Sequence, residues 1–116
     1  MQWNQVAERV KGDVVILDVQ GQMAPSTERG RLIHTIQELL DRGRSKIVVN
    51  LAALAHLDSS GLSEIIDGHN AARRVNANMK LCGLSARVTE LLTVTKLIDV
   101  LDVHATELEA VHELTA

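Results

Sequence analysis

The chain has 116 residues, 46% of them apolar, and a net charge of −3, which suits one small domain with a modest core. Phe and Tyr are absent and Trp3 is the sole aromatic, so the core must be aliphatic and the aromatic platforms that stack single-stranded nucleic acid are missing. Acidic and basic residues interleave with no Lys/Arg block able to track a phosphate backbone, which argues against a nucleic-acid partner.

Other classes fall away on similar grounds. No apolar run approaches the roughly 18–20 residues of a membrane span, and charges at Glu8, Arg9, Lys11 and Asp13 break any signal-peptide stretch. These features predict a single cytoplasmic domain over residues 1–116 with no membrane insertion. Cys82, the single cysteine, rules out an intrachain disulfide and reads as a small buried hydrophobe in an apolar strand.

In chain order, Val6–Val10 and Val14–Val19 read as two strands joined by Lys11-Gly12-Asp13, hence a hairpin. Pro25-Ser26-Thr27-Glu28 opens a helix in which Leu32, Ile33, Ile36, Leu39 and Leu40 recur at helical spacing, and Gly43 stops it. Lys46–Leu51 is an apolar strand that calls for cover on both faces, as in a parallel sheet. A second helix runs from about Ser60 to Val75 with Leu62, Ile65, Ile66, His69 and Ala72 inward, and Asn76-Ala77-Asn78 ends it. A strand around Leu81 follows, then a helix capped by Ser85 and carrying Val88, Leu91 and Leu92. Val100–Val103 reads as a short strand, and Thr106 with Glu109 forms a capping box for a last helix.

Alternation after the hairpin implies right-handed crossovers and a mixed, mostly parallel sheet of four or five strands with about four helices, an α/β fold. The crossover helices gather on one face if successive strands are neighbours. The turn after the Val48 strand then projects from the carboxyl edge of the sheet, where α/β folds usually place their sites.

That turn carries His56-Leu57-Asp58-Ser59-Ser60-Gly61-Leu62. N–H groups at a helix start lack intrahelical partners and favour negative charge. Asp58 or either serine can cap the helix, and a solvent-facing hydroxyl can instead carry a phosphate; the two roles can coexist on neighbouring residues. Ser60 is the expected cap and Gly61 allows close approach to the backbone.

Leu57-Asp58-Ser59-Ser60-Gly61-Leu62, placed after Ile47-Val48-Val49-Asn50-Leu51 and before an amphipathic helix, resembles the signature of STAS domains. Those are bacterial anti-sigma factor antagonists and related domains of sulphate transporters. The likeness extends to Met79–Leu84 and Leu91–Leu97, essentially the whole chain. It implies an antagonist that binds an anti-sigma factor, itself a serine kinase, and is released by phosphorylation on the first serine of the motif, here Ser59. A phosphatase would reverse the modification. Asp58, Ser60 and Gly61, with the exposed helix positions Glu64, Asp67 and Arg74, are the expected partner contacts.

One segment departs from the pattern. Antagonists of this family usually carry Gly-acidic-aliphatic-Asp after the second strand, where this chain has Gly21-Gln22-Met23-Ala24. The loss of both acids keeps open a second role, a docking or accessory subunit of an ABC-type transporter or a stress-signalling assembly, with no phosphoswitch. His56, where an apolar residue is common, reads as solvent-facing or lightly hydrogen-bonded. An enzyme is disfavoured: Gly61-Leu62-Ser63-Glu64-Ile65 lacks the second glycine of a nucleophile elbow and nothing marks an oxyanion hole. The histidines 34, 56, 69, 104 and 112 are scattered, so no metal and no cofactor is expected. The identity of the partner and dimerisation stay open.

Overall fold

The computed structural model describes residues 5–23, 31–57 and 59–115. Trp3, Ala24, the Pro25–Glu28 helix opening and Asp58 lie outside the described residues, as do the side chains of Gln22 and His56. Within the described residues the elements are β1 (Gln5–Lys11), β2 (Val14–Met23), α1 (Arg31–Asp41), β3 (Lys46–Asn50), β4 (Leu54–Leu57), α2 (Ser59–Arg74), β5 (Asn78–Cys82), α3 (Ala86–Val94), β6 (Val103–His104) and α4 (Glu107–Thr115).

The main sheet runs β1-β2-β3-β5-β6, with β1 and β2 antiparallel and the other pairs parallel. The hairpin and the mostly parallel sheet follow the sequence pattern. Alternation along the strands divides the interior in two. Val15, Leu17, Ile47, Val49, Met79 and Leu81 face α1, α2 and α3 in the larger core. Val14, Ile16, Val48 and Cys82 face Ala110 and Leu114 of α4 on the other side. The continuous apolar runs of β2 and β3 thus reflect cover on both faces. Cys82 is buried, and burial pushes its thiol up to about 11, so it stays protonated and inert at neutral pH.

Polar side chains secure the start of α4. Asp18 accepts from Arg9 at 2.9 Å and from Asn50 Nδ2 at 3.1 Å, while Glu107 is paired with Arg9 and Lys11. Thr106 accepts the Glu109 N–H at 3.1 Å and Ser85 accepts the Val88 N–H at 3.2 Å, so both expected caps are formed. Asn76, at φ 59°, supplies the left-handed residue that ends the turn after α2.

Two elements differ from the sequence reading. The last strand is Val103–His104, not Val100–Val103. The N–H groups of Val100 and Leu101 are both bonded to the Leu97 carbonyl, at 3.0 and 2.9 Å, so this stretch is a turn that drops Leu101 into the core. The second difference is β4, a short strand where the sequence suggests a plain turn. It pairs in parallel with the far end of β2, beyond the reach of β3. Among the described residues no helix is long and apolar enough to cross a membrane.

Candidate functional site

The long strand β2 organises the site. Its first half pairs with β3 through Asp18↔Asn50. Its second half pairs with β4 through Gly21↔Leu54, Gln22↔His56 and Met23↔Leu57, with a register shift between Gly21 and Gln22. Gly21 sits at φ 86°, a conformation that side chains resist, and this is where the strand bends to change partner. β2 and β4 therefore end side by side at one edge, Met23 beside Leu57, and α2 begins at Ser59.

Ser59 is the first residue of α2 and is exposed. The first turn of the helix contains no acidic residue, so its positive end is not neutralised from within that turn. The helix starts one residue earlier than the sequence suggests. Ser60 accordingly lies inside the first turn, half-buried, and not at the cap position. Gly61 and Leu62 are buried, so the helix turns into the core at once and leaves the hydroxyl of Ser59 at the rim.

Beyond Ser59 the exposed positions of α2 are Ser63, Asp67, Asn70, Arg73 and Arg74, and Ser63, Asp67, Asn70 and Arg74 are spaced so that they form one polar stripe. Asp67 stands where a partner contact is expected, and Arg74 is exposed near the helix end. Glu64 is not an exposed contact. It is 6% exposed, and its Oε1 accepts the N–H groups of Leu32 and Ile33 at 3.2 and 3.4 Å. Apolar spacing alone defines the inward face of α2 in the sequence; this carboxylate joins that face because α1 offers the N–H groups of its first turn there.

His69 cannot assist Ser59. Ten residues along a helix separate them by about 15 Å at the usual rise of ~1.5 Å per residue. Burial pushes the imidazole of His69 down, the Arg73 charge adds to this, and Asp102 opposes it, so the ring is neutral at pH 7. On the far side of the sheet Lys80 pairs with Asp102, and His104 Nε2 lies 3.1 Å from the same carboxylate. These groups stand on the α4 face of the sheet, away from the Ser59 edge.

Comparison with known proteins agrees with this architecture. TM1081 of Thermotoga maritima superposes with a TM-score of 0.85 at 21% identity, over 96% of this chain and 95% of that one. An anti-sigma factor antagonist from Mycobacterium paratuberculosis gives 0.84 at 14% identity, over 97% and 94%. The Bacillus cell fate determinant SpoIIAA in its phosphorylated form gives 0.72 at 19% identity, over 97% and 99%. At such identities the likeness is one of fold. The STAS domain family model, however, matches residues 5–110, and with Ser59-Ser60-Gly61 opening α2 the chain belongs to the STAS domain family.

Proposed function

We propose that this chain is an anti-sigma factor antagonist, a non-enzymatic cytoplasmic switch that docks an anti-sigma factor with serine kinase activity through the surface around Ser59. The exposed hydroxyl at the first residue of α2 carries the reading. A kinase can reach it, and a phosphate placed there adds about −1.5 to −2 charges at neutral pH. The positive end of α2 offsets part of that charge in the free protein, so the fold tolerates it. A partner seated over the same surface has to strip water from a dianion, which is costly unless it presents a matching cation. Phosphorylation thus ends docking without refolding, and a phosphatase restores it.

Family membership supports this reading, as does the fact that SpoIIAA, a structural neighbour, is known in both unphosphorylated and phosphorylated forms. The second reading, static docking within a transporter or stress-signalling assembly, is favoured by Gln22 and Ala24 standing where family antagonists usually carry acids.

Intact-mass measurement after incubation with the serine-kinase anti-sigma factors of the source genome and ATP tests the switch. One phosphate, mapped to Ser59, is expected. Ser59→Ala should bind and stay unmodified, and Ser59→Asp should bind weakly at an almost unchanged melting temperature. A phosphate on Ser60, or none, removes the assignment. Equal binding by all three forms points to static docking.

A further inference from the structure

Glu64 takes no part in the switch as described, yet it is the only charged residue in the buried interior of the described chain. Among the described residues, the turn of α1 that begins at Arg31 has no acidic residue of its own. The carboxylate that satisfies its Leu32 and Ile33 N–H groups comes from α2, across 32 and 31 positions of sequence. One turn further along both helices lies a second point of fixation. At Gly68 the backbone comes so close to α1 that a Cβ would stand 2.6 Å from Ile36 Cδ1. Leu32 and Ile36 are four apart on α1, and Glu64 and Gly68 are four apart on α2. The two helices are therefore joined at two successive rungs, one by charge-assisted hydrogen bonds and one by close packing.

The rung at Glu64 is the one nearer Ser59. We propose that Glu64 is a positioning residue for the Ser59 surface: it locks the entrance of α1 to α2 and so fixes the first turns of α2 in the orientation a docking kinase reads. This rests on Ser59 being the phosphoacceptor. The packing at Gly68 holds the middle of α2, and once the carboxylate is gone its N-terminal turns lose their polar tie to α1 and are left to the apolar packing of Leu62 and Ile65. An apolar residue at position 64 keeps the interior filled but strands two N–H groups, whereas glutamine keeps an acceptor on the same reach.

Glu64→Val and Glu64→Gln, compared with the native chain well below their melting temperatures, test the lock. In E64V the amides of Leu32 and Ile33 should exchange about tenfold faster or more, while those of Val48 and Leu81 in the sheet keep their rates. With the kinase that modifies the native chain, E64V should show a KM for Ser59 phosphorylation raised about threefold or more at little-changed kcat, and E64Q should recover most of both effects. If E64V does not fold, Glu64→Asp, one methylene shorter, carries the same test. Unchanged exchange at Leu32 and Ile33 overturns the proposal, as does an unchanged KM once those amides are released. A native chain that no kinase modifies refutes the Ser59 reading itself. A native chain that is modified, with E64V an equally good substrate, refutes only the role of Glu64.

Discussion

Gly68→Ala sets two effects of known size against each other. Replacing a helical glycine by alanine normally stabilises a helix interior by about 1 kcal/mol. Here the new Cβ would lie 2.6 Å from Ile36 Cδ1 and 3.4 Å from Met79 Sδ. Carbon atoms pack comfortably at about 3.5–4.0 Å, so the first contact overlaps by roughly 1 Å. Ile36 is fully buried and cannot swing into solvent. Overpacking of this kind typically costs about 1–3 kcal/mol. After the helix gain is subtracted, Gly68→Ala should destabilise the protein by up to about 2 kcal/mol, a fall in melting temperature of up to about 10 °C for a domain of this size. The clashing atom is the one that Ile36→Val deletes. That change alone costs about 0.5–1.5 kcal/mol, but in its background the alanine should become neutral or stabilising, giving a coupling energy of about 1–3 kcal/mol between the two sites, the overpacking that is relieved. Urea denaturation of the four proteins of the cycle measures it. A Gly68→Ala protein more stable than the native one, or two substitutions whose effects simply add, would show that α1 and α2 are not in close contact at this rung.

Two further outcomes follow from the sheet. Gly83→Ala meets Asn50 Oδ1 at 2.8 Å and the Ala52 N at 3.0 Å, at φ +70°, so a backbone atom blocks the escape; a loss of about 2–4 kcal/mol in urea denaturation is expected, and less than about 1 kcal/mol refutes it. Arg9 holds the carboxyls of Asp18 and Glu107 below the usual carboxylate range, chiefly through its hydrogen bonds to them. Because their folded-state pKa values are depressed, the stability they contribute is complete above the unfolded values of about 4 and is lost as pH falls through the folded ones. Stability measured from neutral pH down into strong acid should therefore start lower and fall less in Arg9→Gln than in the native chain, with the two curves converging in acid; parallel curves refute this.

Most of the fold could be read because its strands and helices announce themselves in different ways. The unbroken apolar runs at Val14–Leu17 and Ile47–Val49 have no polar face and need cover on both sides, which α1 to α3 and α4 provide. The helices show their inward residues at three- and four-residue spacing, and the caps at Ser85 and Thr106 depend on contacts three residues away in sequence. Of the two elements that differ, β4 depends on a distant partner and the Val100 stretch on a local turn. Four residues of β4 carry too little pattern to reveal a strand that exists because β2 outruns β3. Val100 looks like a strand residue by type, but its N–H is taken by Leu97 and its side chain is 55% exposed.

The site divides along the same line. That Ser59 stands at the mouth of a helix could be read from the motif and the periodicity that follows it, since both are local. The face of Glu64 could not. Helical spacing fixes Glu64 only as an angle around the axis of α2, bordering the inward positions Ile65 and Gly68, and a carboxylate so placed is ordinarily assigned to solvent. The assignment fails because the partners that make burial tolerable are backbone N–H groups at the entrance of another helix, 31 and 32 residues away. Backbone donors have no side-chain signature, so nothing in the identity of Leu32 or Ile33 reports that they are waiting for an anion. A charged residue bordering the apolar stripe of a helix is the one signal in the sequence that points to it, and Glu64 beside Ile65 is such a residue.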